Sequence, residues 1–141
     1  MNSWGELSPT VLRRVLWGII HPMTSIPLTV YGIPNCDSVK KARVWLAERG
    51  ADYVFHDFKK EGVPPQALDF WLSQVGWETL LNRKGTTWRK LEPSLQASVI
   101  DSQSARQVML EHASVIKRPV CVLQGQVIVG VNPPAWQNVL G

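Results

Sequence analysis

Cysteine is scarce in this chain, with Cys36 and Cys121 the only two among 141 residues. Two thiols cannot build the disulfide framework of a small secreted fold or a four-thiolate zinc site. There are three histidines, His21, His56 and His112, and they fall in different predicted elements with no metal-ligand spacing. No metal site is expected. Charged residues make up only 18% of the chain, against 45% hydrophobic ones, which excludes a disordered polyelectrolyte. No uninterrupted apolar run reaches the about 20 residues that a membrane-crossing helix requires. No repeat or low-complexity tract is visible.

What is present suits one globular α/β domain. A chain of this length buries roughly two thirds of its unfolded surface, enough for a core without metal or disulfide staples. Seven tryptophans are many for the length and are expected in the core or at its rim. The net charge of +4 is too weak a field to imply nucleic acid by itself, but it suits a small anionic substrate.

Residues 1–27 form an amino-terminal extension. Ser8-Pro9 makes a helix start, and Val11, Leu12, Val15, Leu16, Ile19 and Ile20 follow at helical spacing until His21-Pro22 stops the run. Arg13 and Arg14 sit inside this amphipathic helix, and no export cleavage site follows it. Three readings stay open: a helix docked on the domain, a surface anchor or partner-binding arm, or an extension upstream of a start at Met23.

The main domain is expected over residues 28–141. Leu28–Tyr31 reads as a buried strand ended by Gly32 and Pro34, and Asp37 or Ser38 then caps a helix to about Arg49. Tyr53–Phe58 is a second strand, so the first half is a βαβ unit with parallel pairing. Pro64-Pro65 opens a helix to about Val75, residues 80–90 read as a short helix and loop, and Asp101 caps a helix to about His112. Val120–Leu123 and Val127–Val131 flank Gln124-Gly125-Gln126, a hairpin signature, and Pro133-Pro134 starts a last helix. The order β-α-β, helices, β-β-α is that of a thioredoxin-like fold with a helical insertion between its halves.

Cys36 stands where the first strand gives way to its helix. Unpaired N–H groups and a partial positive charge at a helix start favour a thiolate, and Lys40 adds a cation one turn along. Cys36 is therefore the candidate nucleophile. Cys121 follows Pro119 inside an apolar strand and is expected to be a core residue. His56, at the end of the second strand, is expected to be structural. Thr86 and Thr87 offer hydroxyls either to an anion or to their own loop.

Three blocks, Tyr31-Gly-Ile-Pro-Asn-Cys-Asp-Ser-Val-Lys-Lys-Ala42, Leu80-Leu-Asn-Arg-Lys-Gly-Thr-Thr-Trp-Arg-Lys-Leu91 and Ile116-Lys-Arg-Pro119, resemble the arsenate reductase (ArsC) family in the order they occur. The likeness is nearest to its YffB-like branch, related to the Spx regulators. It implies that Cys36 is the nucleophile, that Pro119 is the cis-proline beside it, and that Arg118 and, approximately, Arg83 bind an oxyanion. Asn35 and Lys40 complete the expected anion or thiol-substrate site. A third family arginine has no counterpart, since Val131-Asn132-Pro133 stands there, which weighs against arsenate as substrate. Val39 replaces the second cysteine of a Cys-x-x-Cys motif, so Cys36 needs an external thiol.

The resemblance thus implies a cytoplasmic, glutathione-dependent monothiol reductase, with no tightly bound cofactor and glutathione as co-substrate. Glutaredoxin is a further expected partner. Two alternatives accompany it: a true arsenate reductase, and an Spx-like regulator without turnover, for which RNA polymerase would be the partner.

Overall fold

The computed structural model describes residues 28–140; the predicted amino-terminal helix and Met23 lie outside the described residues. Strand β1 is Leu28–Gly32, helix α1 Asp37–Glu48 and strand β2 Tyr53–Asp57, followed by a helical turn α2, Phe58–Glu61. The insertion holds α3 (Pro65–Val75), α4 (Trp77–Leu80), α5 (Thr86–Lys90), α6 (Pro93–Ser98) and α7 (Ser102–Glu111). Strands β3 (Val120–Leu123) and β4 (Gln126–Val129) and helix α8 (Pro133–Leu140) complete the chain.

The four strands form one sheet in the order β2-β1-β3-β4. Strand β1 runs parallel to β2, with Gly32 opposite Asp57, and antiparallel to β3, with Val30 opposite Cys121. Alternation along β1 sends Leu28 and Val30 to one face and Tyr31 to the other. On the first face these residues pack with Ala42 and Leu46 of α1, Cys121 and Trp136 of α8. The Trp45 and Trp136 rings, 5.3 Å apart, join the two helices there. The second face is covered by the insertion, around Leu68, Trp71, Leu80, Val108, Met109 and Ile116. Tyr31 lies against Trp71, with ring centroids 4.7 Å apart, and so seats the insertion on the sheet. This is the thioredoxin-like architecture with a helical insertion.

Local differences from the sequence expectation have physical causes. The N-cap of α1 is Cys36 rather than Asp37 or Ser38. The second strand stops at Asp57, whose carboxylate accepts from the Lys59 N–H and starts a helical turn at Phe58. Residues 80–90 divide between the end of α4 and α5, and α6, which opens on Pro93, was not anticipated. The final hairpin closes on two residues, Gln124 (φ 51°) and Gly125 (φ 79°), so Gln126 belongs to β4; Gly130 (φ 82°) ends that strand before Val131. The Asp101 cap on α7 is a full capping box with Ser104.

Gly32 is required by close packing. A Cβ there would lie 2.6 Å from Cγ2 of Val39, a β-branched, fully buried side chain with little freedom to move. Gly32→Ala is expected to destabilise the protein by about 1–3 kcal/mol through overpacking. Its urea unfolding midpoint should fall with an unchanged slope.

Candidate functional site

Four chain segments meet at the carboxyl-terminal edge of β1 and β2 and line an open cleft of about 250 Å³. The first is the Ile33–Cys36 loop. Ile33 is buried and anchors it, while Asn35 and Cys36 line the cleft. Cys36 has extended backbone angles, as an N-cap should, and its carbonyl accepts the first helical hydrogen bond from the Lys40 N–H at 2.9 Å. Its thiol makes no capping bond. Cys36 is half-buried and its thiol is free, at the start of a three-turn helix.

The second wall comes from residues 114–118. A short antiparallel contact fixes it: Leu81 bridges Ile116, the Asn82 N–H donates to the Val115 carbonyl at 2.8 Å, and the Lys117 N–H donates to the Leu80 carbonyl at 2.8 Å. On the other side, the Gly130 N–H donates to the Pro119 carbonyl at 2.8 Å. The Arg118–Pro119 peptide is cis. Arg118 lines the cleft with Ser114, and its Nε is buried without any hydrogen-bond partner. Among the described residues it also lacks an acidic partner. A buried guanidinium donor left unpaired is costly, and an anion reaching it from the cleft would offset that cost.

Lys59 supplies a second cation, and Gly85, Thr86 and Thr87 close the remaining side. The thiol, two cations and two hydroxyls can receive a sulfur substrate that carries a carboxylate or other oxyanion, and can stabilise negative charge on a leaving group.

Asn35, Cys36 and Arg118 therefore meet as expected from the sequence. Arg83 does not join them. It stacks over the Trp77 ring at 5.1 Å and lines a neighbouring depression with Lys84, whose N–H donates to Asn82 Oδ1 at 3.2 Å. Lys40 is exposed on α1 and does not line the cleft. Lys59 takes the place foreseen for these two cations. The signal was available: in a parallel βαβ unit, residues leaving the two strands emerge at one edge of the sheet, and Lys59 follows β2 as Cys36 follows β1. Ser114 sits in a single 3₁₀ turn and carries no comparable signature.

His56 serves structure: its Nε2 lies 2.9 Å from the Gly62 carbonyl and its Nδ1 3.6 Å from Glu61. Among the described residues, no three His, Cys, Asp or Glu side chains gather as a metal site would require.

Cys121 is buried on the α1/α8 face of the sheet. Burial pushes its thiol up to about 12, with a weaker opposing pull from the neighbouring Trp136 indole, which makes no hydrogen bond of ordinary geometry. Burial also raises Tyr31. Both groups give up a proton more readily in the unfolded chain. The folded state should therefore be fully stabilised below the ordinary thiol range and lose that contribution as pH climbs towards about 12. Urea midpoints measured from about pH 7 to about pH 10 should decline, and Cys121→Val should flatten the decline.

The ArsC family profile matches residues 31–139, nearly all of the described domain. The chain belongs to the ArsC family. Among solved structures, a YffB protein superposes with a TM-score of 0.77 at 44% identity, covering 81% of this chain and 99% of its own. An uncharacterized Haemophilus influenzae protein is 38% identical over 110 residues, which is 78% of this chain and 96% of that one. The global transcriptional regulator Spx of Bacillus subtilis is 24% identical over 110 residues, covering 74% and 80%. The ArsC match spans the Cys36 loop, Arg118-Pro119 and the final hairpin alike. Among the described residues, no helix is long and apolar enough to cross a membrane.

Proposed function

We propose that this ArsC-family chain is a glutathione-dependent monothiol reductase. The observation that carries the reading is the pairing, in one cleft, of a free Cys36 sulfur at a helix start with a buried, unpartnered Arg118 Nε. The Cys36 thiolate attacks one sulfur of a mixed disulfide between glutathione and a second thiol. A Cys36–glutathione disulfide forms, the old S–S bond breaks, and the second thiol leaves as a thiolate that takes up a proton. A glutathione thiolate then attacks the adduct, giving oxidised glutathione and restoring the Cys36 thiolate. Arg118 and Lys59 hold a carboxylate of the tripeptide and offset the charge that develops on sulfur.

Two further features support an external reductant. Val39 fills the position of a second motif cysteine and is fully buried against Gly32, and Cys121 does not line the cleft. Arsenate is the weaker substrate. Asn132, in the stretch where the family's third arginine is expected, accepts from the Ala135 N–H at 3.2 Å and caps α8.

The test is mass spectrometry of the native protein after exposure to oxidised glutathione. One glutathione on Cys36, released by reduced glutathione, is expected. Modification confined to Cys121 would overturn the assignment.

A further inference from the structure

A second depression, about 540 Å³, adjoins the thiol cleft. Its lining includes three cations, Arg83, Lys84 and Lys117, against one acid, Glu78, together with Leu81 and Asn82. All three cations are exposed, and among the described residues none makes an ion pair. Arg83 is braced on Trp77, and Lys84 is held by the Asn82 turn. Lys117 is fixed at its backbone by the Leu80 carbonyl, while its stem runs alongside Gly130. The three charges are thus set on short, hydrogen-bonded segments.

Those segments are shared with the thiol site. Lys84 leads directly into Gly85 and Thr86, and Lys117 into Arg118, all of which line the Cys36 cleft. A molecule with its sulfur at Cys36 therefore meets this basic surface along its flanks. The depression is about twice the volume of the cleft, larger than an inorganic oxyanion needs, and it holds more than one cation.

We infer that the Arg83–Lys84–Lys117 depression docks an acidic polypeptide segment flanking the disulfide that Cys36 attacks, so that the second thiol of the physiological mixed disulfide belongs to an acidic peptide or protein region. The inference rests on the thiol chemistry proposed for Cys36 and names its substrate class. Opposite charge across such a surface raises the rate of encounter and favours one partner over another.

The experiment uses the full chain and two synthetic peptides of equal length, each bearing a single cysteine activated as a thiopyridyl disulfide. One is flanked by Glu and Asp, the other by Gln and Asn. Attack of the Cys36 thiolate forms the Cys36–peptide disulfide and expels thiopyridone, whose absorbance reports the rate. Capture of the acidic peptide should be roughly tenfold faster at low salt, and the advantage should shrink as salt rises. The double variant Arg83→Ala/Lys117→Ala should lose the preference while capturing the neutral peptide at the native rate, which also shows that it is folded. Lys84→Glu together with Lys117→Glu should shift the preference towards a lysine-flanked peptide. Equal capture of both peptides by the native protein, or a preference that survives these substitutions, would overturn the docking site and leave the thiol reading intact. Capture of neither peptide overturns both.

Discussion

Cys36→Ser is expected to reduce glutathione-dependent turnover of a mixed disulfide by roughly 10³-fold or more, the scale on which deletion of a nucleophile acts. The replacement is nearly isosteric, and the native thiol makes no capping bond that would be lost. Serine is a good N-cap, so α1 should be undisturbed or slightly stabilised. Unfolding midpoints that match the native protein, alongside lost turnover, would separate a chemical role from a structural one. Retention of turnover in Cys36→Ser would refute the mechanism. Alkylation supplies a complementary measurement. In the native protein an iodoacetamide label should enter Cys36 and spare Cys121, which is buried and has its ionisation suppressed. In denaturant both cysteines should label.

Arg118→Ala is expected to lower turnover by about 10²–10³-fold, equivalent to about 2.7–4 kcal/mol of transition-state stabilisation. The same substitution should not destabilise the fold, because Nε is a buried donor without a partner and its removal relieves an unsatisfied group. Activity and stability should therefore part company at this position, as they do where a site is built for its ligand rather than for the fold. Arg118→Lys keeps the charge and loses the guanidinium fork, so it should recover only part of the loss. Initial rates with glutathione mixed disulfides, compared with urea midpoints of the same variants, provide the measurement. A loss of stability that tracks the loss of activity would mark Arg118 as a structural residue.

Much of this molecule is legible in local patterns. The βαβ unit over residues 28–58 announces itself through two short strands and a helix with Val39, Ala42 and Leu46 on one face, all three of which are buried. The hairpin is marked by Gly125 between apolar runs, and the last helix by its paired prolines. Cys36 can be singled out because its place at a strand-to-helix junction is a local property. The α6 helix is harder to read, being six residues long with no buried side chain to set a periodicity. The cationic side of the site was legible only in part. Arg118 was placed through its neighbour Pro119, and Lys59 can be singled out only through the parallel βαβ topology, because spacing alone does not rank it above Lys40 and Arg83.

The scarcity of thiols and the position of Cys36 were thus settled by sequence alone. Two cysteines exclude a disulfide scaffold, and the valine at position 39 excludes a motif disulfide whatever the fold. Which cations face the thiol was a tertiary decision. Parallel pairing of β1 with β2 carries Lys59 to the same sheet edge as Cys36. The Trp77 stack and the Asn82 turn hold Arg83 and Lys84 in the next depression. The fates of the two thiols diverge for a similar reason. Cys121 is paired into the middle of the sheet under α1 and α8, where burial disfavours its thiolate, and Cys36 stands at the sheet's edge, where its sulfur opens into the cleft.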